Sequence, residues 1–314
     1  MKNKPIIIVA GDPNSIFFEI FFKSLKILKL KSPIILITSL SLFRSQMKKF
    51  GFKKNIKILN SKNLGEIKID KKIINIINVH LDFSKSHIYI KKSFDIAFKL
   101  LNLKITDKFI NGPINKTIFL NKKFPGITEY ISKKFNVNKS AMLIYNEEIS
   151  VSPLTTHLPI KLIPKKINKK SIEEKIILIN DFFVKKIGFK PMIAVTGLNP
   201  HCETILKYNE DDKIIAPTIK SLKKRGFKVY GPYPADTIFL KQNSKKFNVI
   251  IGMYHDQVLT PIKALHGFNA INITLGLPFL RISPDHGPNN KMVGKNKSDP
   301  QSLINAIKFL NRNL

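Results

Sequence analysis

Apolar runs recur along the chain, and stretches with helical spacing of apolar residues separate them. The runs mostly lack polar alternation, which predicts strands of a sheet that is covered on both faces. These strands are predicted at residues 5–10, 33–38, 73–79, 108–112, 141–146, 192–199, 227–232, 248–254 and 270–276. Helices are predicted at residues 14–30, 84–103, 170–186, 209–225 and 300–313. Strands that alternate with helices predict an α/β fold with a largely parallel sheet.

The charge of the chain is strongly positive and raises the question of a nucleic-acid partner. The 314 residues carry a formal net charge of +33, and a basic surface can attract a polyanion. Lysine, isoleucine and asparagine are abundant along the whole chain, however, so a general drift in residue usage explains the charge more simply than a binding patch. Because RNA-binding aromatic motifs, zinc fingers and helix-turn-helix signatures are missing, we do not expect nucleic acid as the main ligand.

Features that the sequence lacks limit the cellular location and the redox chemistry. No stretch reaches the roughly 18 uncharged apolar residues of a membrane span. The apolar run at residues 6–10 is too short for the core of a signal peptide. We therefore expect a soluble, cytoplasmic protein without a membrane partner. The single cysteine, Cys202, excludes an internal disulfide and a multi-cysteine zinc site.

Three histidines follow apolar runs: His157 ends SVSPLTTH, His201 ends IAVTGLNPH, and His255 ends VIIGMYH. Ligands of open α/β sheets bind at the carboxyl ends of strands. Neutral imidazoles that converge from separate strands are the usual ligands of a catalytic zinc or similar divalent ion. The residues between them form no local motif, and each histidine taken singly fits a structural role as well. Together they predict a metal site.

Charged residues near other strand ends point to an anion. Lys263 and Arg281 suit a small phosphorylated anion, because arginine binds phosphate through two parallel hydrogen bonds and lysine supplies a point charge. Asp236 follows a further strand. The G-x-G-x-x-G and P-loop phosphate motifs are missing, as is the G-x-S-x-G elbow. These residues alone predict a three-histidine metal site with an anion pocket, and they fit hydrolysis and oxidation equally.

Seven segments together resemble one enzyme family. They are GPINKTIF (112–119), GITEY (126–130), TTHLP (155–159), GLNPHCE (197–203), GPYPADTIF (231–239), YHDQVLTPIK (254–263) and NITLGLPFLRISPDHG (272–287). In order and spacing they resemble the 4-hydroxythreonine-4-phosphate dehydrogenase family of the vitamin B6 pathway. The resemblance runs over nearly the whole chain.

The resemblance implies a role for each matching position. It places the metal ligands at His157, His201 and His255. Its substrate-contacting residues fall on Thr128, Lys263, Asn272 and Arg281. Its active-site carboxylates fall on Asp236 and Asp256, which with Lys263 make up the implied catalytic set.

The resemblance also implies a fold and an assembly. The family is similar in fold to isocitrate and isopropylmalate dehydrogenases, which have two α/β domains. We expect a first domain of residues 1–124 plus 291–314 and a second of residues 125–290, which carries the metal-ligand histidines and the dimer contacts. A homodimer whose active sites take residues from both subunits is implied. So is NAD, with NADP as an alternative, and one divalent ion per subunit, either zinc, magnesium or cobalt.

The implied reaction is the NAD-dependent oxidation of 4-phosphohydroxy-L-threonine to 2-amino-3-oxo-4-phosphooxybutanoate. That product loses carbon dioxide to give 3-amino-2-oxopropyl phosphate, a step of pyridoxal phosphate biosynthesis. Two alternatives stay open. One is a dehydrogenase of another phosphorylated hydroxy acid, such as a four-carbon sugar acid phosphate. The other is a basic nucleic-acid-binding protein on a retired enzyme scaffold.

Two departures from the family pattern bear on the substrate. The family has Gly-His-Thr-Glu where this chain has Gly-Ile-Thr-Glu at 126–129, so Ile127 replaces a substrate-contacting histidine. The loop at 10–19 also lacks several of the family's glycines. Either residue drift has changed a working enzyme, or the substrate differs. The survival of every metal position favours the first explanation.

Overall fold

The computed structural model describes residues 4–120, 123–203, 208–267, 269–284 and 287–312. The strands in chain order are β1 (Ile6–Val9), β2 (Ile34–Thr38), β3 (Ile56–Leu59), β4 (Ile74–Asn78), β5 (Lys108–Asn111), β6 (Ala141–Tyr145), β7 (Ser150–Thr155), β8 (Ile193–Thr196), β9 (Val229–Tyr233), β10 (Val249–Tyr254), β11 (Ile271–Leu275) and β12 (Leu280–Pro284). The α-helices are α1 (Phe17–Ile27), α2 (Leu40–Lys49), α3 (Ser86–Asn102), α4 (Lys116–Leu120), α5 (Ile127–Lys134), α6 (Lys169–Phe182), α7 (Ala216–Lys224), α8 (Lys241–Ser244), α9 (His255–His266) and α10 (Gln301–Leu310).

The chain divides into two compact units, each of which is held together mainly by contacts among its own residues. The first consists of Met1–Tyr130 with Pro278–Asn313, and the second of Ile131–Leu277 with Leu314. The boundaries expected from the sequence were 124 and 290. Thr128 and Arg281 thus belong to the first unit, whereas the three histidines belong to the second.

The first unit is built on parallel strands in the order β3-β4-β2-β1-β5-β12. Every residue of β1 and β2 is buried, which is why their sequences IIIV and IILIT show no polar alternation. Helix α3 packs on β1 and β2, and α10 packs on β12 and α1. Phenylalanines fill the space beside α1, where the rings of Phe22 and Phe52 stack with centroids 4.4 Å apart.

The second unit has the strand order β11-β6-β7-β10-β8-β9. β6 runs antiparallel to both of its neighbours, and the other neighbouring strands are parallel. Thr155 at the end of β7 pairs with Tyr254 at the end of β10, and Ile251 of β10 pairs with Val195 of β8. The carboxyl ends of β7, β10 and β8 therefore lie side by side at one edge of the sheet.

The predicted α/β fold with a largely parallel sheet is confirmed. Each predicted strand is present with ends shifted by a few residues, whereas β3, β7 and β12 were not predicted. The sequence SVSPLT of β7 was recognised as the run that ends at His157 but was left out of the predicted strands because it carries serines and a proline, and β12 contains a buried arginine. Among the described residues, every helix is too short or too polar to span a lipid bilayer.

Candidate active site

Neighbouring strand ends bring two of the predicted metal ligands together. His255 directly follows β10, and His157 lies two residues after β7, the parallel neighbour of β10. Their ring centroids are 6.1 Å apart. Two imidazoles on one tetrahedral ion have ring centroids roughly 5 Å apart, because the metal lies about 2.1 Å from each ring nitrogen. The two rings are therefore close neighbours, and a shared ion would draw them about 1 Å closer together.

His201 reaches the same edge by a different route. It lies in a 3-10 turn, Pro200–Cys202, that follows β8, the other neighbour of β10. His201 and Cys202 both have left-handed backbone conformations, with φ of 57° and 62°. Within the described part of the chain, no group of three or more histidine, cysteine, aspartate or glutamate side chains is arranged to hold a metal ion. The structure thus pairs His157 with His255 but does not add His201 to that pair.

The two predicted carboxylates lie beside these histidine loops. Nδ1 of His255 is 2.6 Å from Oδ1 of Asp256, which leaves Nε2 as the ring nitrogen that faces away from the carboxylate. The side chain of Asp256 is 78% exposed, so this contact contributes little energy to holding the His255 ring in place. Asp236 is exposed in the turn after β9. Burial raises the pKa of the Cys202 thiol, and the negative charges of Asp211 and Asp236 add to that rise, which places Asp236 near the loop of His201.

The predicted substrate residues of the second unit are Lys263 and Asn272. Lys263 is exposed on α9, eight residues after His255, and a helix advances about 12 Å over that distance. Asn272 lies in β11, and its Oδ1 atom is buried without a hydrogen-bond partner among the described residues. A buried acceptor without a partner is costly, so this atom fits a position that a substrate donor would satisfy.

Arg281 in the first unit is held by the fold itself. Its side chain is only 3% exposed. Its Nε donates to Oδ1 of Asn111 over 2.8 Å, and its Nη1 donates to Oγ1 of Thr128 over 3.0 Å. Burial lowers the pKa of Arg281 to about 10 and the Glu129 carboxylate opposes this, so the guanidinium is charged at neutral pH. A planar cation fixed in this way suits a phosphate or carboxylate.

The two departures from the family pattern have local explanations. Ile127 is the first residue of α5 and is 7% exposed, so it serves as an apolar core residue where the family pattern has a histidine. In the loop at 10–19, Gly11 is kept, and its φ of 86° together with the close carbonyl of Pro113 leaves no room for a side chain. The backbone N–H of Asp12 donates to that carbonyl over 2.8 Å. The loop therefore keeps glycine at the position where the backbone requires it.

Sequence reasoning missed three residues that hold the predicted ones in place. Asn111 orients Arg281, and Gln257 and Asp211 hold the backbone before His201. Asn111 lies inside the predicted strand 108–112 and is the last residue of β5, whereas Gln257 lies within the quoted segment YHDQVLTPIK, just after a strand. A position at or just after the carboxyl end of a strand was thus the only available signal for either of these two residues.

Distant structural likeness agrees with the fold class. An isocitrate dehydrogenase from Methylococcus capsulatus has a TM-score of 0.52 at 11% identity, and the likeness covers 96% of this chain and 83% of that one. At that identity only the fold is shared. It is the two-unit α/β fold of the isocitrate dehydrogenase type, as the sequence predicted.

Closer comparisons identify the family. Residues 29–310 match the family described as "Pyridoxal phosphate biosynthetic protein PdxA". A 4-hydroxythreonine-4-phosphate dehydrogenase of Sulfurihydrogenibium sp. (strain YO3AOP1) is 36% identical over 311 residues, which cover 96% of each chain. A D-threonate 4-phosphate dehydrogenase of Pectobacterium atrosepticum is 31% identical, with 98% of each chain covered. A crystal structure of a 4-hydroxythreonine-4-phosphate dehydrogenase from Klebsiella pneumoniae has a TM-score of 0.81 at 27% identity and 98% coverage of both chains.

The chain belongs to the PdxA family, and the resemblance inferred from the sequence is confirmed. It is accordingly a dehydrogenase of the PdxA type.

Proposed function

We propose that this protein oxidises 4-phosphohydroxy-L-threonine with NAD in pyridoxal phosphate biosynthesis. The relative from Sulfurihydrogenibium is named a 4-hydroxythreonine-4-phosphate dehydrogenase, and the match covers 96% of this chain. The observation that carries the proposal is the pair His157 and His255, whose rings lie 6.1 Å apart at adjacent strand ends. The protein is assigned to the cytoplasm, and the names of its relatives support a small phosphorylated substrate.

His157, His201 and His255 are the residues that would hold one divalent ion, zinc, magnesium or cobalt. Such an ion would act as a Lewis acid that lowers the pKa of the substrate hydroxyl. Asp256 contacts Nδ1 of His255 at 2.6 Å and so would fix which ring nitrogen is offered as a ligand. Asp236 is assigned the corresponding supporting role near His201.

The substrate-binding roles follow from charge and from unsatisfied polar atoms. Arg281 is assigned to the phosphate, because Asn111 and Thr128 fix its guanidinium plane before substrate arrives. Lys263 is assigned to the same anion by the family resemblance. Asn272 is assigned to a polar group of the substrate, because its Oδ1 is buried without a partner in the described chain.

The chemistry of the substrate completes the reaction. Oxidation removes the hydroxyl proton and transfers a hydride from the same carbon to NAD, which leaves a ketone β to the carboxylate. The bond between the α-carbon and the carboxylate then breaks and carbon dioxide leaves. The electron pair of that bond passes to the ketone as an enolate, and uptake of a proton at the α-carbon gives 3-amino-2-oxopropyl phosphate. Fixing the phosphate at Arg281 would limit the motion of the reacting carbon, which is where binding contributes to rate.

A homodimer with shared active sites is part of the proposal. Three apolar side chains just after His157 are exposed, namely Leu158 at 40%, Ile160 at 79% and Leu162 at 36%. A run of exposed apolar residues beside a functional residue is typical of a protein interface. Light scattering of the purified protein should give twice the mass of the chain.

The test of the proposed function is a substrate panel with metal analysis. The purified protein should retain about one divalent ion per subunit and reduce NAD in the presence of 4-phosphohydroxy-L-threonine. The same assay with NADP measures the cofactor preference. Failure to turn over this substrate in the presence of zinc, magnesium or cobalt would overturn the proposal.

D-threonate 4-phosphate is the second candidate substrate. The relative from Pectobacterium carries that activity in its name and is 31% identical with 98% coverage. The two substrates differ at the carbon next to the carboxylate, which bears an ammonium in one and a hydroxyl in the other. Turnover of D-threonate 4-phosphate alone would transfer the assignment to it, and Ile127 would then mark a changed substrate site.

A further inference from the structure

Gln257 ties together the strand ends that precede His201 and His255. Its Oε1 accepts hydrogen bonds from Oγ1 of Thr196 over 2.8 Å and from the backbone N–H of Met253 over 2.7 Å. Its Nε2 donates to the carbonyl of Gly197 over 2.8 Å. Thr196 ends β8 and Met253 lies near the end of β10, so one side chain bridges two neighbouring strands.

Asp211 holds the same loop from another side. Its side chain is fully buried. Oδ1 accepts from the backbone N–H of Leu198 over 2.7 Å, and Oδ2 accepts from the backbone N–H of Asn199 over 3.1 Å. Oδ2 also accepts from Nδ2 of Asn199 over 2.8 Å. Consecutive residues of the loop are therefore bound by Gln257 at Gly197 and by Asp211 at Leu198 and Asn199.

The loop is packed too closely to move without breaking these contacts. A side chain at Gly197 would place its Cβ 2.6 Å from Sγ of Cys202 and 2.7 Å from Oδ1 of Asp211. His201 and Cys202 have left-handed backbones, which residues with side chains adopt only where their surroundings impose it. Gln257 and Asp211 hold the start of this loop, together with the carbonyl of Tyr233, which accepts from the N–H of Gly197, and the turn bond from the N–H of Cys202 to the carbonyl of Asn199.

We propose that Gln257 and Asp211 form a two-sided brace that fixes the loop 197–202 and thereby positions His201 relative to His255. Both are positioning residues, since they act through the backbone and through His201. The chemistry of the brace is specific. A glutamate at position 257 would place a carboxylate oxygen, which can only accept, against the carbonyl oxygen of Gly197. An asparagine at position 211 would place an NH₂ group, which can only donate, against the N–H donors of Asn199. The catalytic part of this inference rests on the proposed function, but the structural part does not.

Cys202 gives a direct measure of the brace. It is the single cysteine of the chain, it lies in the loop, and it is partly buried. An aromatic disulfide reagent that releases a coloured thiolate will therefore label this loop alone. The labelling rate is taken on its high-pH plateau, where the thiol is fully ionised in every variant. There it reports how often the loop opens, because burial protects the thiol in the closed state.

The experiment compares labelling rates of native wild-type protein and four variants. Gln257→Leu and Asp211→Asn should label about tenfold faster or more, because each loses bonds to buried backbone groups. Thr196→Val removes only the hydroxyl that donates to Gln257 and should show a smaller increase, and Thr196→Ser should restore the wild-type rate. Circular dichroism selects the variants that fold.

Two control variants distinguish loss of the brace from a general loss of folding stability. Gln242→Leu changes an exposed glutamine on α8 and should leave the rate unchanged. Ile176→Val removes a methyl group from the core of the same unit and lowers stability without touching the loop. If Ile176→Val labels as fast as Gln257→Leu at equal loss of stability, or if Gln257→Leu and Asp211→Asn label at the wild-type rate, the brace is overturned.

Metal and substrate readouts test the effect on His201. Titration with Co²⁺ alone should show a 10- to 100-fold weaker affinity in Gln257→Leu and Asp211→Asn, the loss typical of supporting residues around a metal. The KM for the phosphorylated substrate should change little while kcat falls, because Arg281 is untouched. Wild-type Co²⁺ affinity in variants that label fast would overturn the positioning of His201. Wild-type protein that binds no ion would instead overturn the proposed function, and the labelling rates would still decide the brace.

Discussion

The side chain of Arg281 is buried and hydrogen-bonded within the fold, whereas the side chains around His157 and His255 are largely exposed. Arg281 is 3% exposed and hydrogen-bonded to Asn111 and Thr128, so folding alone fixes its guanidinium. His157 is exposed, and the carboxylate beside His255 is 78% exposed. A side chain fixed by the core loses little entropy when it binds, whereas an exposed side chain loses more. Under the proposed roles, the contrast predicts that the anion site is preorganised, whereas the side chains of His157 and His255 become ordered when the ion binds.

The largest effect is expected from His255→Ala. The histidine lies between the strand ends of β7 and β8, so its loss should abolish retention of the divalent ion. It should lower kcat/KM by roughly 10³-fold or more, because a metal supplies several kcal/mol of charge stabilisation. Metal analysis and NAD reduction measure both effects. His87→Ala, an exposed histidine on α3, is the matched control, and a fully active His255→Ala enzyme would contradict the ligand assignment.

Arg281→Lys is expected to weaken binding of the phosphorylated substrate by about 10- to 100-fold. Lysine keeps the charge but cannot form the paired hydrogen bonds of a guanidinium. It also leaves Asn111 and Thr128 without their partner, at a cost of about 1–3 kcal/mol in stability. Steady-state KM and denaturant unfolding measure the two losses. Arg225→Lys, whose guanidinium is exposed and pairs with Glu173, should show neither.

Lys175→Met tests how much a buried cation lowers the free energy of unfolding when it lacks hydrogen-bond partners like those of Arg281. Burial lowers the pKa of Lys175 to about 8, and no charged group of the described chain offsets that effect. The folded pKa lies below the unfolded value of 10.5, so stability is highest above the unfolded pKa and falls as the pH drops toward the folded one. Methionine should thus raise the free energy of unfolding by about 3 kcal/mol at pH 7.

The pH dependence provides the check on that prediction. The gain from Lys175→Met should shrink between pH 8 and pH 10.5 and vanish above it. Lys170→Met on the exposed side of the same helix should give no such gain at any pH. An equal gain at pH 7 and at pH 10.5 would show that packing rather than charge is responsible.

Asp256→Asn should have the smallest effect. The carboxylate lies 2.6 Å from Nδ1 of His255, but its exposure weakens the contact. We expect a loss of ion affinity of about tenfold or less, at the low end for a supporting residue. Asp95→Asn, another exposed aspartate in a pair with Lys91, serves as the control in the same titration. A loss as large as that of His255→Ala would show that Asp256 binds the ion itself.

The sequence could predict which residues end strands but not which strands are neighbours. His157, His201 and His255 were found because each follows an apolar run. That β7, β10 and β8 adjoin one another depends on the order of strands in the sheet, which no local pattern encodes. The sequence of β7 was recognised only as the run before His157 and not as a listed strand, since its Pro153 is unusual in the interior of a sheet.

The supporting residues were out of reach for a related reason. Gln257 binds the carbonyl of Gly197, 60 residues away, and Asn111 binds Arg281, 170 residues away. The sequence around a glutamine or asparagine does not indicate its hydrogen-bond partner, because that partner is often a backbone group far away in the chain. The charge or apolar character of a residue, by contrast, is known from its identity alone.

The buried Ile127 has a consequence for any attempt to introduce a histidine there. An imidazole would replace a side chain at a position that is now 7% exposed, and burying a polar group without a partner costs about 1–3 kcal/mol. That loss is a large fraction of the stability of a typical domain. Ile127→His is therefore expected to need a second, compensating substitution before the variant folds as stably as the parent chain.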